Sequence, residues 1–339
     1  VKLTEGPWHR LLAGVPGPAT GRTTIGLAVD TGPHGADLLR AAAALADEAP
    51  ELGYLWVDDS ASAQGGALAA QTLVAQGVRL IIGHFNSGSA LAAAPIYAPA
   101  GALLLAPAAT HPALTAAMPR CFRLCAHDQL QAQLFADTLV EAGGRPLLIV
   151  QRSAHGQSLG NAIERLLRAV HMPPDRIDAD THTDTDTHTE ADADADAVAQ
   201  IADLPPGSVA VIGRHAFAAA WLPLLDARSP RLLSDDCCTP RLRDAAGAAA
   251  IGAQVATVAG ADAGEARGSA YARTSRAAIE VLAGAVAMAG SHPDAVAAAL
   301  HDRSWQTCLG TTAFDVQGEP VGIGWCWQCV APAFAAAPV

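Results

Sequence analysis

The chain has 339 residues, enough for about two domains of ordinary size. Hydrophobic residues make up 51% and aromatics only 4%, so the core has to be closed by tightly packed aliphatic side chains rather than by rings. The net charge of -12 and the lack of a Lys/Arg cluster exclude the basic face of a nucleic-acid binder, and no apolar run of about 18 residues offers a membrane-spanning helix.

Residues 1–21, rich in Gly and Pro, read as a loosely attached arm. No charged-then-apolar leader opens at Val1, which leaves a cytosolic chain or one whose leader has been removed. A strand is predicted over Thr24–Val29, a helix over Asp37–Asp47 and a strand over Tyr54–Val57. A helix over Ala67–Gln76, a strand over Val78–Ile82, a helix over Ser89–Tyr97 and a strand over Ala102–Leu105 follow. This rhythm implies a parallel sheet covered by helices on both faces. It then recurs: helix Gln129–Glu141, strand Pro146–Val150, helix Ser158–Val170, helix Ala195–Leu204, strand Val209–Ile212, helix Ala216–Leu225 and a strand from Arg231–Leu233. Two successive α/β units suggest two similar Rossmann-like lobes. Ligands of such sheets bind beyond the carboxyl ends of the strands, so two facing lobes would offer a ligand cleft.

Two segments invite a metal or redox reading. Asp178–Asp196 repeats Asp with Thr and Ala and carries His182 and His188. A solvated, low-complexity surface loop is the expectation there. Cys326 and Cys329 have CxxC spacing, but the stretch around them reads as a terminal strand, which would point the thiols to opposite faces. No metal and no cofactor are expected. No G-x-S-x-G elbow, H-E-x-x-H helix or phosphate-binding loop is present to suggest an enzyme.

The informative stretch is Ile81–Thr115. A strand ends in Gly83-His84, Ser87-Gly88-Ser89 opens a helix, and the next strand ends in Pro107-Ala108-Ala109-Thr110, followed by Pro112-Ala113-Leu114. A helix start presents unpaired N–H groups and the positive end of a dipole, where a carboxylate lodges. Ser87 would add a hydroxyl donor, or else serve only as the helix cap. Thr110 ends the neighbouring strand and could reach the same anion.

With its spacing intact, this segment resembles the leucine/isoleucine/valine-binding protein family of type I periplasmic binding proteins. Further likeness lies in Trp56-Val57-Asp58-Asp59, in Phe122-Arg123 with Asp128, in Gly156–Leu159, and in Gly310–Gly318 with Phe314-Asp315. The resemblance implies two α/β lobes, 22–125 with 251–312 and 126–250 with 313–332, joined by three crossovers. It implies a solute-binding receptor of an ABC importer, capturing an amino acid or related small polar molecule by lobe closure. The expected location is the periplasm, the expected partner a membrane permease, and the expected state a monomer. A cytosolic ligand sensor of the amide-sensing type is the alternative.

The resemblance places the ligand carboxylate at Ser87 and Thr110, with the neighbouring Ala109 also at the site. It assigns the ligand ammonium to Asp236, with Asp235 as the fallback and a backbone carbonyl from Ala108 as a further acceptor. Asn86 stands where relatives often carry a cysteine, and His155 and His215 stand where branched-chain binders carry tyrosines. Those two histidines, with Arg152 and Arg214 nearby in sequence, suggest a polar or anionic ligand side group; solvated histidines on the rim are the other reading.

Overall fold

In the computed structural model, which describes residues 17–182, 192–193, 207–259 and 271–331, the alternation of apolar runs and alanine-rich segments resolves into strands and helices close to those predicted. Most of the arm at 1–21, most of the Asp178–Asp196 tract and the helix expected over Ala195–Leu204 lie outside the described residues. The first run comprises β1 (Thr23–Ala28), α1 (Pro33–Ala44), β2 (Leu52–Val57), α2 (Ala63–Ala75), β3 (Leu80–Gly83), α3 (Ser87–Tyr97), β4 (Leu103–Ala106), α4 (Ala113–Ala117) and β5 (Cys121–Arg123). These strands form one parallel sheet in the order β2-β1-β3-β4-β5. Strands β3 and β4 are buried along their whole length, as parallel strands covered on both faces must be, and this is why they read as unbroken apolar runs. Alanine closes the packing: Ala69, Ala70, Ala90, Ala93 and Ala94 from α2 and α3 share one core cluster with Ile81 and Leu104.

The second run comprises α5 (Asp128–Ala142), β6 (Leu147–Gln151), α6 (Ala154–Ala169), β7 (Asp175–Ala179), the short antiparallel pair β8 (Thr181–His182) and β9 (Asp192–Ala193), β10 (Val209–Ile212), α7 (His215–Trp221), β11 (Arg231–Leu233), α8 (Pro240–Ala246) and β12 (Gln254–Val258). The chain continues through α9 (Ala272–Ala289), α10 (Pro293–Asp302) and an antiparallel sheet of β13 (Trp305–Thr307), β14 (Gly310–Phe314) and β15 (Pro320–Val321). It returns as β16 (Trp325–Cys329) to a second sheet ordered β16-β12-β11-β10-β6-β7. The type I periplasmic binding protein architecture expected from the sequence is the observed one. Cys326 and Cys329 stand three residues apart on β16, so alternation sends their side chains to opposite faces. Among the described residues no helix is long and apolar enough to cross a membrane.

The acidic tract does not begin as a loop. Asp178 and Ala179 belong to β7, and the Asp178 carboxylate accepts hydrogen bonds from Gln157 at 2.8 Å and Arg176 at 3.0 Å. Burial would raise its pKa, but these two donors hold it below the usual carboxylate range.

Two compact units are present, Val1–His127 with Val258–Gly324 and Asp128–Thr257 with Trp325–Val339. By contact grouping the last change of unit falls after Gly324. Before it, a clip holds the chain. Asp315 Oδ1 accepts from the backbone N–H groups of Gln317 and Glu319, and the Gly318 carbonyl accepts from Arg123 N–H at 2.9 Å. The turn after β14 is thereby fastened to β5 of the first unit. Gly318 has φ +81°, and a Cβ there would lie 2.0 Å from the Cys121 carbonyl oxygen. The late Phe-Asp-x-x-Gly motif is thus a structural fastening. Gly318→Ala should cost about 3 kcal/mol or more, combining ~1–2 kcal/mol for the left-handed backbone with ~1–3 kcal/mol for overpacking. Urea unfolding measures this; a loss below ~1 kcal/mol would show that the turn can move away from β5.

Candidate functional site

In the first unit the candidate residues sit where β3 and β4 end. Gly83 closes β3 with φ +144°, and a Cβ there would lie 2.1 Å from the Ala28 carbonyl oxygen, so glycine lets β3 pass tightly beside β1. The chain then turns His84 inward. Its Nδ1 lies 2.6 Å from Asp59 Oδ2 and its Nε2 3.2 Å from the Tyr97 hydroxyl, with all three residues buried. The Gly-His and Asp-Asp motifs thus meet in one hydrogen-bonded lock between the end of β2, the end of β3 and the last residue of α3. Burial and the Asp59 charge push the Tyr97 phenol well above its ordinary pKa, so it serves as a neutral hydrogen-bonding group.

The capping role considered for Ser87 falls to its neighbour. Asn86 is the N-cap of α3, its side-chain oxygen accepting from Ser89 N–H at 3.1 Å. Ser87 is the first helical residue, and its Oγ accepts from His111 N–H at 3.2 Å. That leaves the Ser87 hydroxyl hydrogen as a donor and fixes the helix start against the loop after β4. Ser89 is buried and donates to the Ser62 carbonyl at 3.0 Å, which ties α3 to the start of α2.

The loop after β4 is held from below. Ala108, Ala109 and Thr110 are buried. Arg123, completely buried on β5, donates to the carbonyls of Ala109 at 2.9 Å and His111 at 3.0 Å. Its charge is met by Glu319 at 3.1 Å, and Glu319 also accepts from the Thr115 hydroxyl at 2.8 Å. Thr110 therefore lies between two anchored carbonyls. The first turn of α3, the Ser87 hydroxyl and this loop lie together as the candidate seat for a small carboxylate. Sequence reasoning took Arg123 only as a marker of resemblance; an arginine inside an apolar strand was the available signal, because a buried charge has to be paired.

In the second unit the candidates lie at the ends of three adjacent strands, β6, β10 and β11. Ser153 caps α6 by accepting from Gly156 N–H at 3.1 Å, which sets His155 in its first turn. His215 opens α7 and is partly exposed. Asp235 and Asp236 form a 3₁₀ turn after β11 with Cys237; Asp235 is 2% exposed and Asp236 half-buried. The Ser234 hydroxyl donates to the Gly213 carbonyl at 2.9 Å and accepts from Gly213 N–H at 3.0 Å, stitching the ends of β10 and β11 together.

The structure brings His155 against Asp235, at 3.6 Å, and against Asp128, at 3.8 Å. Burial by itself would lower the pKa of His155. Its contact with Asp235 and the charges of Asp128, Asp235 and Asp236 outweigh burial and hold it up at about 10. His155 is thus an imidazolium at neutral pH, with two carboxylates already facing it. Arg152 is exposed and turned to Asp180 at 3.4 Å, and Arg214 is exposed. Asp128 was read only as part of the crossover; its place at the start of α5, opposite the start of α6, decides its role.

A histidine whose folded pKa is raised from about 6.5 to about 10 contributes its full stability below the lower value. That contribution is lost as the pH rises through the upper one. Thermal midpoints should fall between about pH 6.5 and 10 in the parent, and less steeply in His155→Gln and Asp128→Asn. Parallel curves for all three proteins would refute the ion-pair assignment.

Comparison with known proteins agrees with this architecture. A family model described as periplasmic binding protein matches residues 14–273. A Leu/Ile/Val-binding protein homolog 1 of Brucella abortus is 25% identical over 347 residues, covering 92% of this chain and 88% of the relative. A homolog 2 from the same organism is 30% identical over 122 residues, a match spanning 34% of this chain and only 32% of that protein. The crystal structure of a leucine binding protein from Thermotoga maritima superposes with a TM-score of 0.79 at 18% identity, covering 91% of this chain and 95% of the other, a likeness of fold. With more than half of its length matched by the family model, this chain belongs to the periplasmic binding protein family, and its relatives include leucine/isoleucine/valine-binding proteins.

Proposed function

We propose that this chain is an extracytoplasmic receptor of an ABC importer. It captures a small carboxylate-bearing solute of the amino-acid-like class and presents it to a membrane permease, acting as a monomer and without chemical turnover. The single observation that carries this reading is the seat in the first unit. Asn86 caps α3, Ser87 joins the helix start to the loop after β4, and Arg123 holds that loop rigid from behind. Leucine, isoleucine and valine, which the relatives' names give as their ligands, all carry the carboxylate such a seat suits. The histidines support binding rather than catalysis. His84 is enclosed between Asp59 and Tyr97, and His155 is a protonated cation between carboxylates, so neither is placed as a general base.

A thermal-shift screen of amino acids and small carboxylic acids tests the reading. A true solute at about 100 times its Kd should stabilise the protein by about 2.7 kcal/mol. Ser87→Ala, which removes a hydrogen bond to a charged group, should weaken binding by about 1.5–3 kcal/mol, roughly 10- to 150-fold. If the solute carries an ammonium held by Asp236 or Asp235, replacing that residue by Ala should cost about 3–5 kcal/mol. A solute whose affinity is indifferent to Ser87→Ala binds elsewhere, and that outcome would defeat the assignment of the seat.

A further inference from the structure

The chain has seven cysteines, and the candidate carboxylate seat uses none of them. Two of them meet inside the second unit. Strand β16 is the edge of its sheet and pairs on one side only, with β12. Ala259 N–H donates to the Gly324 carbonyl at 2.8 Å, and Val330 N–H donates to the Ala253 carbonyl at 2.9 Å. The two strands therefore run antiparallel, with Thr257 opposite Cys326. Opposed residues of such a pair project from the same face, their Cα atoms about 5.5 Å apart where they exchange hydrogen bonds. Gln328, two residues beyond Cys326, shares that face. The other face of β16 is taken up by α5, since Trp327 packs on Phe135 at 4.8 Å and donates to the Thr138 hydroxyl at 2.8 Å.

Cys238 reaches the Cys326 face from the turn after β11. Its thiol donates to Gln328 Oε1 at 3.7 Å and is hydrogen-bonded with the Thr257 side chain. It thus contacts both the cross-strand partner of Cys326 and the next residue along the same face. Burial lifts the Cys238 thiol to about 11, and the charge of Cys326 adds to the rise, which requires the two sulfurs to be near each other. The other thiols are directed elsewhere. Cys237 donates to the Gly213 carbonyl at 3.2 Å, Cys308 to the Arg273 carbonyl at 3.1 Å and Cys125 to the Ala109 carbonyl at 3.8 Å. Cys329 lies on the opposite face of β16, and Cys121 is buried in β5.

We propose that Cys238 and Cys326 are a redox-active dithiol whose oxidation forms an intrachain disulfide, fastening the edge strand β16 to the turn that bears Asp235 and Asp236. The oxidant is a small-molecule disulfide such as oxidised glutathione. Cys326 is half-buried and Cys238 is 7% exposed, so Cys326 reacts first. Its thiolate attacks one sulfur of the reagent, forms a mixed disulfide and expels one glutathione thiolate. Cys238 then gives its proton to water, attacks the Cys326 sulfur and expels the second glutathione. The two cysteines lose two electrons and two protons, and the reagent disulfide is reduced to two thiols. The new bond closes a loop of roughly 90 residues, long enough for the cross-link to restrict the unfolded chain strongly. The chemistry involves no solute, so it stands apart from the receptor reading.

The whole chain, fully reduced and then treated with oxidised glutathione in the absence of any solute, provides the test. Peptide mapping by mass spectrometry should find a cross-link between Cys238 and Cys326. The thermal midpoint should rise by about 5 °C or more on oxidation and return on adding dithiothreitol. Cys326→Ser should abolish both the cross-link and the rise, whereas Cys329→Ser should leave both in place. If Cys326→Ser fails to fold, the peptide map and the midpoint of the parent chain decide the matter by themselves. A cross-link through Cys237 or Cys329 instead, a mixed disulfide that persists on Cys326, or a midpoint unmoved by oxidation would overturn the inference. Ser87-dependent solute binding is read in a separate titration, so either assignment can fail without the other.

Discussion

A guanidinium buried completely inside the first unit is the constraint on which the loop after β4 depends. Arg123 cannot be solvated where it lies, so its charge has to be met by the protein. It is met by the carbonyls of Ala109 and His111 and by Glu319. Because those acceptors come from the loop after β4 and from the turn after β14, satisfying one cation fixes two loops at once. The loop beside the start of α3 is therefore positioned by a buried electrostatic requirement as much as by its hydrogen bond to Ser87. Removing one partner of such a pair leaves the other unpaired inside the fold, which is why buried pairs of this kind hold geometry more strongly than they raise net stability.

The second unit applies the same logic with the signs exchanged. There the carboxylates Asp128 and Asp235 are the buried groups, and His155 is the cation that makes their burial tolerable. The proton on His155 is held by its neighbours, so the local charge depends on three elements meeting: the starts of α5 and α6 and the turn after β11. Read along the sequence, a histidine in place of a tyrosine suggested an available positive charge. In the fold, that charge already has its counter-ions.

The match over residues 14–273 and the parallel sheets identify the scaffold. The contacts of His155 with Asp128 and Asp235 belong to the side chains mounted on it. A family name defines the scaffold and the manner of binding; the choice of solute rests with such local substitutions.

Much of the architecture was legible in the sequence, because period and composition are local properties. Unbroken apolar runs could only be strands covered on both faces, and the strand-helix rhythm could only be a parallel sheet, so Val209–Ile212 and Arg231–Leu233 were placed to the residue. The short strands β5 and β7 escaped notice because their residues, Cys121–Arg123 and Asp175–Ala179, carry charge inside the strand. The candidate site was legible as a set of loops at strand ends, since the connection pattern of a parallel sheet puts them all at one edge. Its chemistry was not. Whether Asn86 or Ser87 caps α3, whether His84 faces Asp59 and whether Asp128 reaches His155 all depend on strand order and helix placement. Those bring together residues far apart in the chain, and only the tertiary structure decides them, because a side chain's charge and its available hydrogen bonds are set by the partner packed against it rather than by its neighbours in sequence.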